Sequence, residues 1–217
     1  MKFERYSFKK KNPQDMIAQS NELMREMLNR RSIRDFSSEE IPEMVIKNVL
    51  KTAMTAPSGA NKQPWKFVVV KDKNIKKEIR VAAEEEEKKF YELRATEEWL
   101  KDLNKFGTDW NKPFLENAPA LIIVFRQSYD KSGGGKRKNY YVNESVGIAC
   151  GFLLMALQNA GLVSLTHTPS PMGFLERILK RPKNEKAYLL IPVGFPTENA
   201  EVPTLNKKSY NKSVEVF

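Results

Sequence analysis

The stretch from residue 139 to 161 constrains this chain most, because Val146, Ile148, Ala149, Phe152, Leu153, Leu154, Met155 and Leu157 put apolar side chains nearly all round one helix. In a water-soluble protein such a helix must be buried on almost every side, so it is expected at the centre of the core and partly against another subunit. Glu144, Gln158 and Asn159 interrupt it, and its apolar stretch falls short of the ~20 residues that a membrane span requires. With 217 residues the chain can build one good core and is short for two. One compact domain over residues 1–217 is therefore expected.

What packs against that helix can be read from periodicity. Over Pro13–Asn29, Met16, Ile17, Leu23, Met24, Met27 and Leu28 recur at helical spacing, with Asp15 early in the segment. A second helix starts after Ser37-Ser38-Glu39-Glu40-Ile41-Pro42, where cap residues and a proline stand together, and Val45, Ile46, Val49, Leu50 and Ala53 line one face. Trp65–Val70 is a β-branched and aromatic run bounded by Pro64 and Lys71-Asp72, which predicts a buried strand. Residues 120–125, 162–168 and 188–195 predict three more strands. The charged stretch 74–104 predicts helix with little core of its own, and residues 130–138, with Gly133-Gly134-Gly135, predict a flexible basic loop. The expected fold class is α+β, a mixed central sheet surrounded by helices.

Composition excludes several functions. Charged residues make up 29% of the chain and the net charge is +10, yet lysines alternate with acids, and no recognition helix, zinc-ligand set or aromatic single-strand platform is present. Nucleic-acid binding is thus a weak third reading, and a Lys/Glu-rich solvated surface accounts for most of the charge. One cysteine, Cys150, and one histidine, His167, preclude an internal disulfide, cysteine or multi-histidine metal centres, and any evident triad. No metal is expected, and catalysis must lean on a cofactor. The N-terminus has no apolar signal segment, so a cytoplasmic product is expected.

Two segments suggest which cofactor. Arg30-Arg31-Ser32-Ile33-Arg34 places three guanidinium groups within five residues, a phosphate clamp whose charge persists at any working pH. Ala56-Pro57-Ser58-Gly59-Ala60-Asn61-Lys62-Gln63-Pro64-Trp65 can leave the helix and offer backbone N–H groups to a flat polar ligand. No Gly-x-Gly-x-x-Gly fingerprint or P-loop accompanies them.

These segments and the strand that follows resemble the FMN-dependent nitroreductase superfamily, and within it the iodotyrosine deiodinases, over nearly the whole chain. The resemblance implies a nitroreductase-like fold and a domain-swapped homodimer with FMN at the interface. It implies that Arg30, Arg31, Ser32 and Arg34 meet the phosphate, ribityl and pyrimidine groups, and that Pro57, Ser58, Gly59 and Ala60 form the loop facing flavin and substrate. It implies that Thr166 and Thr168 end a strand beside the flavin, with the Thr168 hydroxyl at N5 favouring one-electron steps. Lys207 and Lys208 stand where an Arg-containing stretch reaches the phosphate, and a lysine offers charge without the bidentate fork.

For substrate, the resemblance implies that Glu87, Tyr91 and Lys112 grasp an amino-acid zwitterion and that the Ala60 N–H meets the phenolate. Glu87 and Tyr91, four apart, share one helix face. Residues 74–112 would form a substrate lid. The implied activity is reductive dehalogenation of 3-iodotyrosine and related halotyrosines, with a reductase or NAD(P)H as electron source. A general NAD(P)H-dependent nitro or quinone reductase is the alternative within the superfamily, and a non-catalytic flavin or halotyrosine binder the alternative outside catalysis.

Overall fold

The computed structural model describes residues 2–132 and 135–217; of the predicted glycine loop, Gly133 and Gly134 lie outside the described residues. The chain groups into two units, Met1–Arg30 and Arg31–Phe217. The first holds helix α1 (Pro13–Asn29), with the expected bounds. Its first turn is closed by the Asn12 side chain, which accepts from the Asp15 N–H at 2.8 Å, and Pro13 sits where no N–H is needed. No residue of α1 is buried, and its apolar stripe, including Met16, Ile17, Leu23, Met24 and Leu28, is exposed.

The second unit is built on a four-stranded sheet in the order β1-β2-β6-β5, formed by β1 (Trp65–Val70), β2 (Ala120–Gln127), β5 (Val163–Ser164) and β6 (Glu185–Gly194). Every ladder between these strands is antiparallel, and the mixed character of the sheet is confined to one parallel bridge, Ser32↔Ser164. The predicted strand 162–168 shortens to two residues plus a bridge between His167 and Leu190. Of the stretch expected as a loop, residues 130–132 and 135–138 instead lie in two antiparallel strands, β3 (Tyr129–Ser132) and β4 (Gly135–Lys138). The pair is pinned by the Asn184 and Asn139 side-chain amides, which donate to the carbonyls of Tyr129 (2.8 Å) and Gln127 (2.9 Å).

Helices cover both faces of the sheet. Strand β2 alternates its side chains between them. Ala120, Ile122 and Val124 pack with α2 (Glu43–Met54) and α6 (Val142–Asn159), while Leu121, Ile123 and Phe125 pack toward α3 (Lys73–Lys89), α5 (Phe114–Asn117) and α7 (Gly173–Ile178). Helix α6 is less enclosed than its composition suggests: Val146, Ala149, Leu153 and Leu157 form a buried face, whereas Ile148 is 44% exposed. Cys150 lies on the buried side, where desolvation pushes its thiol up to about 12, so it acts as a small apolar side chain.

The charged stretch 74–104 breaks into α3, a π-helical turn (Phe90–Arg94) and α4 (Glu97–Asn104). Its first half has more core than expected, because Ile79 and Ala83 are fully buried. From residue 84 to 111 no residue is buried. Among the described residues no helix is long and apolar enough to cross a membrane.

The end of β6 fits closely under its neighbours. A Cβ on Gly194 would stand 2.5 Å from Cδ of Pro119 and 3.2 Å from Phe36. Gly194→Ala should therefore destabilise the protein by about 1–3 kcal/mol through overpacking, read as a lower urea midpoint at unchanged slope.

Candidate active site

The segment 31–34 runs beside β5 because the Ile33 N–H donates to the Ser164 carbonyl at 3.2 Å. The next strand residues are held by reciprocal hydrogen bonds, His167 N–H to the Leu190 carbonyl (2.9 Å) and Leu190 N–H to the His167 carbonyl (3.0 Å). Strand alternation then leaves Thr166 and Thr168 exposed and turns Leu165 and His167 inward. On the opposite wall the end of α3 and its π-helical turn present Glu87, Phe90 and Tyr91, and the 108–112 segment presents Thr108 and Lys112.

The result is a cavity of about 530 Å³ that gathers Arg34, Glu87, Tyr91, Lys112, Thr166, His167 and Thr168, closed on its apolar side by Phe90, Trp99, Leu103 and Met172. The aromatic wall is ordered by edge-on contacts of Phe90 with Trp99 (4.8 Å between centroids) and with Tyr91 (5.5 Å). A larger, more open groove of about 790 Å³ lies between α3 and α7, where Lys77, Arg177 and Lys180 mix with Glu78 and Glu85. The smaller cavity is the chemical one, since the buried titratable groups converge there.

At its base Lys112 Nζ lies 3.3 Å from Glu87 Oε2, with side chains only 4% and 12% exposed. Nζ also donates to Thr108 Oγ1 at 3.2 Å and to the Asp109 carbonyl, so its three protons all have acceptors. The Lys112 ammonium stands 5.5 Å over the Tyr91 ring, and the Tyr91 hydroxyl donates to the Thr108 carbonyl at 3.0 Å. The backbone below is fastened to α3: Lys112 N–H donates to Glu84 at 2.7 Å, and Glu84 is paired with Arg80 at 2.7 Å.

Desolvation governs the charges. Burial raises the Glu87 carboxyl and lowers the Lys112 ammonium, each partly opposed by the partner's attraction. Burial also raises the Tyr91 phenol and lowers Arg34. Arg34, half-buried and facing the cavity, makes no ion pair among the described residues, which suits it to an anionic or carbonyl-rich ligand. His167 is pulled down to about 3, first by burial and then by Lys112 and Arg34, so its ring is neutral.

Six of the predicted site residues are thus brought together: Arg34, Glu87, Tyr91, Lys112, Thr166 and Thr168. The others do not line this cavity. Arg30 caps α1 in the N-terminal unit. Arg31 donates to the Pro203 carbonyl, and Ser32 makes the bridge to Ser164. Pro57 precedes a short 3₁₀ turn, Gly59–Asn61, in which Ala60 has φ +49°. The Ser58 hydroxyl there accepts from the Gln63 N–H (2.9 Å), and Gly59 N–H donates to Ser145 Oγ (3.3 Å). Lys207 and Lys208 are exposed on the C-terminal segment. Phe90, Trp99, Leu103, His167 and Met172 were not foreseen, and only the aromatic pair Phe90-Tyr91 hinted at the apolar wall.

A match to the nitroreductase family spans residues 27–195, and the chain belongs to that family. Within it, an iodotyrosine deiodinase of Haliscomenobacter hydrossis is 60% identical over 90% of this chain and 89% of its own length. The human iodotyrosine deiodinase 1 is 48% identical over 89% of this chain and 68% of its own length. A crystal structure of oxidized iodotyrosine deiodinase bound to FMN and 3-iodo-L-tyrosine matches with a TM-score of 0.76 at 33% identity, over 89% of this chain and all of that one. A BluB-like flavoprotein from Clostridium difficile 630, 21% identical, shares the fold with a TM-score of 0.69 over 90% of this chain and 98% of that one.

Replacing one member of the buried pair isolates its electrostatics. In Lys112→Met, Glu87 loses the attraction that opposed its desolvation, so its folded-state affinity for a proton rises further above that of the unfolded chain. A raised carboxyl contributes stability that is intact in the acid range and lost as pH climbs through its folded-state value. The variant should therefore match the wild type near pH 4 and fall behind toward pH 7, by about 3 kcal/mol. Adding Glu87→Gln should restore most of the loss, as thermal melts across that range would show.

Proposed function

We propose that this protein is an FMN-dependent reductive dehalogenase of 3-iodotyrosine and related halotyrosines. One observation carries the reading: Glu87, Tyr91 and Lys112 meet in the same cavity as Arg34, Thr166 and Thr168, so a binding place for an amino-acid head group adjoins the place expected for a flavin edge. The identity of 46–60% to iodotyrosine deiodinases supports the same assignment.

The residues present fit FMN. The desolvated, unpaired Arg34 and the two threonine hydroxyls offer donors to a polar ring edge, and Arg30, Arg31, Ser32, Lys207 and Lys208 supply cations and a hydroxyl for ribityl phosphate. FMN, when bound, supplies the two electrons that, with one proton, replace the carbon–iodine bond by carbon–hydrogen and release iodide. A reductase or NAD(P)H replenishes them. The chain holds the substrate: Glu87 accepts from its ammonium, Tyr91 and Lys112 bracket its head group, and the Ala60 N–H receives its phenolate. Thr168, lining the cavity, would offer a neutral hydroxyl to the bound flavin. Residues 84–111, none of which is fully buried, serve as a lid whose apolar wall covers the halogenated ring.

Two chains build the complete site. Met44 and Met54 on α2 and Ile148 on α6 are exposed apolar side chains, and the stripe of α1 is likewise uncovered, as expected of a swapped homodimer. The turn carrying Pro57, Ser58, Gly59 and Ala60 then reaches the flavin from the second copy.

Reduced anaerobically with dithionite, the FMN-loaded protein should convert 3-iodotyrosine to tyrosine and iodide in equal amounts. Glu87→Gln should raise KM for iodotyrosine by at least tenfold while leaving turnover of 2-iodophenol, which has no head group, within about twofold. Rapid NADPH-driven turnover of nitroaromatics without iodide release would replace this reading by the general reductase. For the assembly, Ile148→Asp should lose dimer and FMN together in sedimentation and absorbance measurements; a yellow monomer would refute the shared site.

A further inference from the structure

Thr108 lines the cavity near the end of the lid segment, and the scheme above gives it no role. Its two oxygens are engaged by two different head-group residues. The hydroxyl oxygen accepts from Lys112 Nζ at 3.2 Å, and the carbonyl accepts from the Tyr91 hydroxyl at 3.0 Å. Tyr91 stands early in the weakly supported stretch and Lys112 just beyond its end, so one half-buried residue ties the two sides together.

The ion pair beside it bears the mark of this contact. Lys112 Nζ and Glu87 Oε2 are 3.3 Å apart, although both side chains are almost wholly enclosed. Charge-assisted bonds of this kind close to about 2.7–2.9 Å when nothing competes. The more exposed pair of Lys186 and Glu176 closes to 2.6 Å. Lys112 is held back because its ammonium is divided among three acceptors, Glu87, the Thr108 hydroxyl and the Asp109 carbonyl. Without the hydroxyl, the proton left over turns to the carboxylate, the strongest acceptor within reach. The pair would then close, and Glu87 would have less to offer a ligand's ammonium. The Lys112 backbone would stay in place, since its N–H is held separately by Glu84, itself paired with Arg80.

We propose that Thr108 is a positioning residue of this site: its hydroxyl restrains the Lys112 ammonium from closing on Glu87, and its carbonyl sets the Tyr91 hydroxyl, so that a head group meets an open array. The proposal rests on the dehalogenase reading and extends it to a residue that acts through its neighbours. Dissociation constants on the oxidised, FMN-loaded protein, from quenching of flavin fluorescence, provide the test. Three probes suffice: 3-iodo-L-tyrosine, 3-iodotyramine, which keeps the ammonium alone, and 2-iodophenol, which has no head group.

Thr108→Val removes the hydroxyl at nearly constant shape and keeps the carbonyl. It should weaken iodotyrosine and iodotyramine about fivefold to thirtyfold and leave 2-iodophenol and flavin content within about twofold. Thr108→Ser should return iodotyrosine to within about twofold of the wild type. Because the hydroxyl acts through Lys112, Thr108→Val should add less than about twofold to the loss already caused by Lys112→Met, whereas independent losses would multiply. Should the Lys112→Met proteins fail to load flavin, the serine comparison decides. Equal weakening of all three probes, unchanged or tighter iodotyrosine binding in Thr108→Val, or no recovery in Thr108→Ser, would overturn the proposal. Wild-type protein that takes up FMN yet fails to bind iodotyrosine would instead sink the dehalogenase reading itself.

Discussion

Burial of strand β2 on both faces is the constraint from which the architecture follows. Residues 120–125 are each fully enclosed, so neither face of the sheet can meet water and helices must cover both. Alternation then divides the core. One half packs on α2 and α6, the other on α3, α5 and α7, and the cavity opens in the second half where α3 runs out of buried side chains. Because β2 is paired on both edges, with β1 and β6, backbone groups from the far edge of the sheet remain to be satisfied by shorter pieces. The bridges at Ser32 and His167 do this, and the alternation about His167 leaves Thr166 and Thr168 on the cavity side.

The buried pair of Glu87 and Lys112 is better explained by chemistry than by stability. Both shifts point the same way: desolvation outweighs mutual attraction for each partner. Two well-packed apolar side chains would serve the fold at least as well. A pair kept at such a cost suits a site that must receive a zwitterion, since each partner offers the sign that one end of the ligand needs. Arg34 has the same character: half-buried at the cavity and in no ion pair among the described residues, it is suited to a ligand group.

Much of this was legible in sequence, for identifiable reasons. The bounds of α1 and β1 match their expected limits, because Asn12-Pro13 and Pro64 punctuate the chain where the apolar pattern starts. Glu87 and Tyr91, singled out by the resemblance, were placed on one face by helical spacing, and the π-helical turn at Phe90–Arg94 did not separate them. Where expectation and structure part, a long-range partner decides. Residues 162–168 have β-forming side chains but pair only at Val163, Ser164 and the single bridge at His167, with Thr166 and Thr168 left facing the cavity. The β3-β4 pair reads as a basic loop because its strands carry lysines and glycine, and the Asn139 and Asn184 amides that fasten its ends lie outside those strands. No local pattern marks His167, whose neighbours Phe114, Lys112 and Arg34 are all distant in sequence.

The division between core and lid also has an energetic reading. Ordering a residue costs roughly 1–2 kcal/mol of backbone entropy, and residues 84–111 return little of it through burial. Their arrangement depends on Arg80, Glu84 and Glu116 at the start and on Lys112 at the end, which is where side chains become buried again. Glu87 and Tyr91 lie just inside this weakly supported stretch, and Lys112 just outside it. A ligand that engages all three therefore ties the unsupported segment to the supported one. Its binding energy would be spent partly on closing the cavity, so that exclusion of water from the reacting ring follows from recognition of the head group several bonds away.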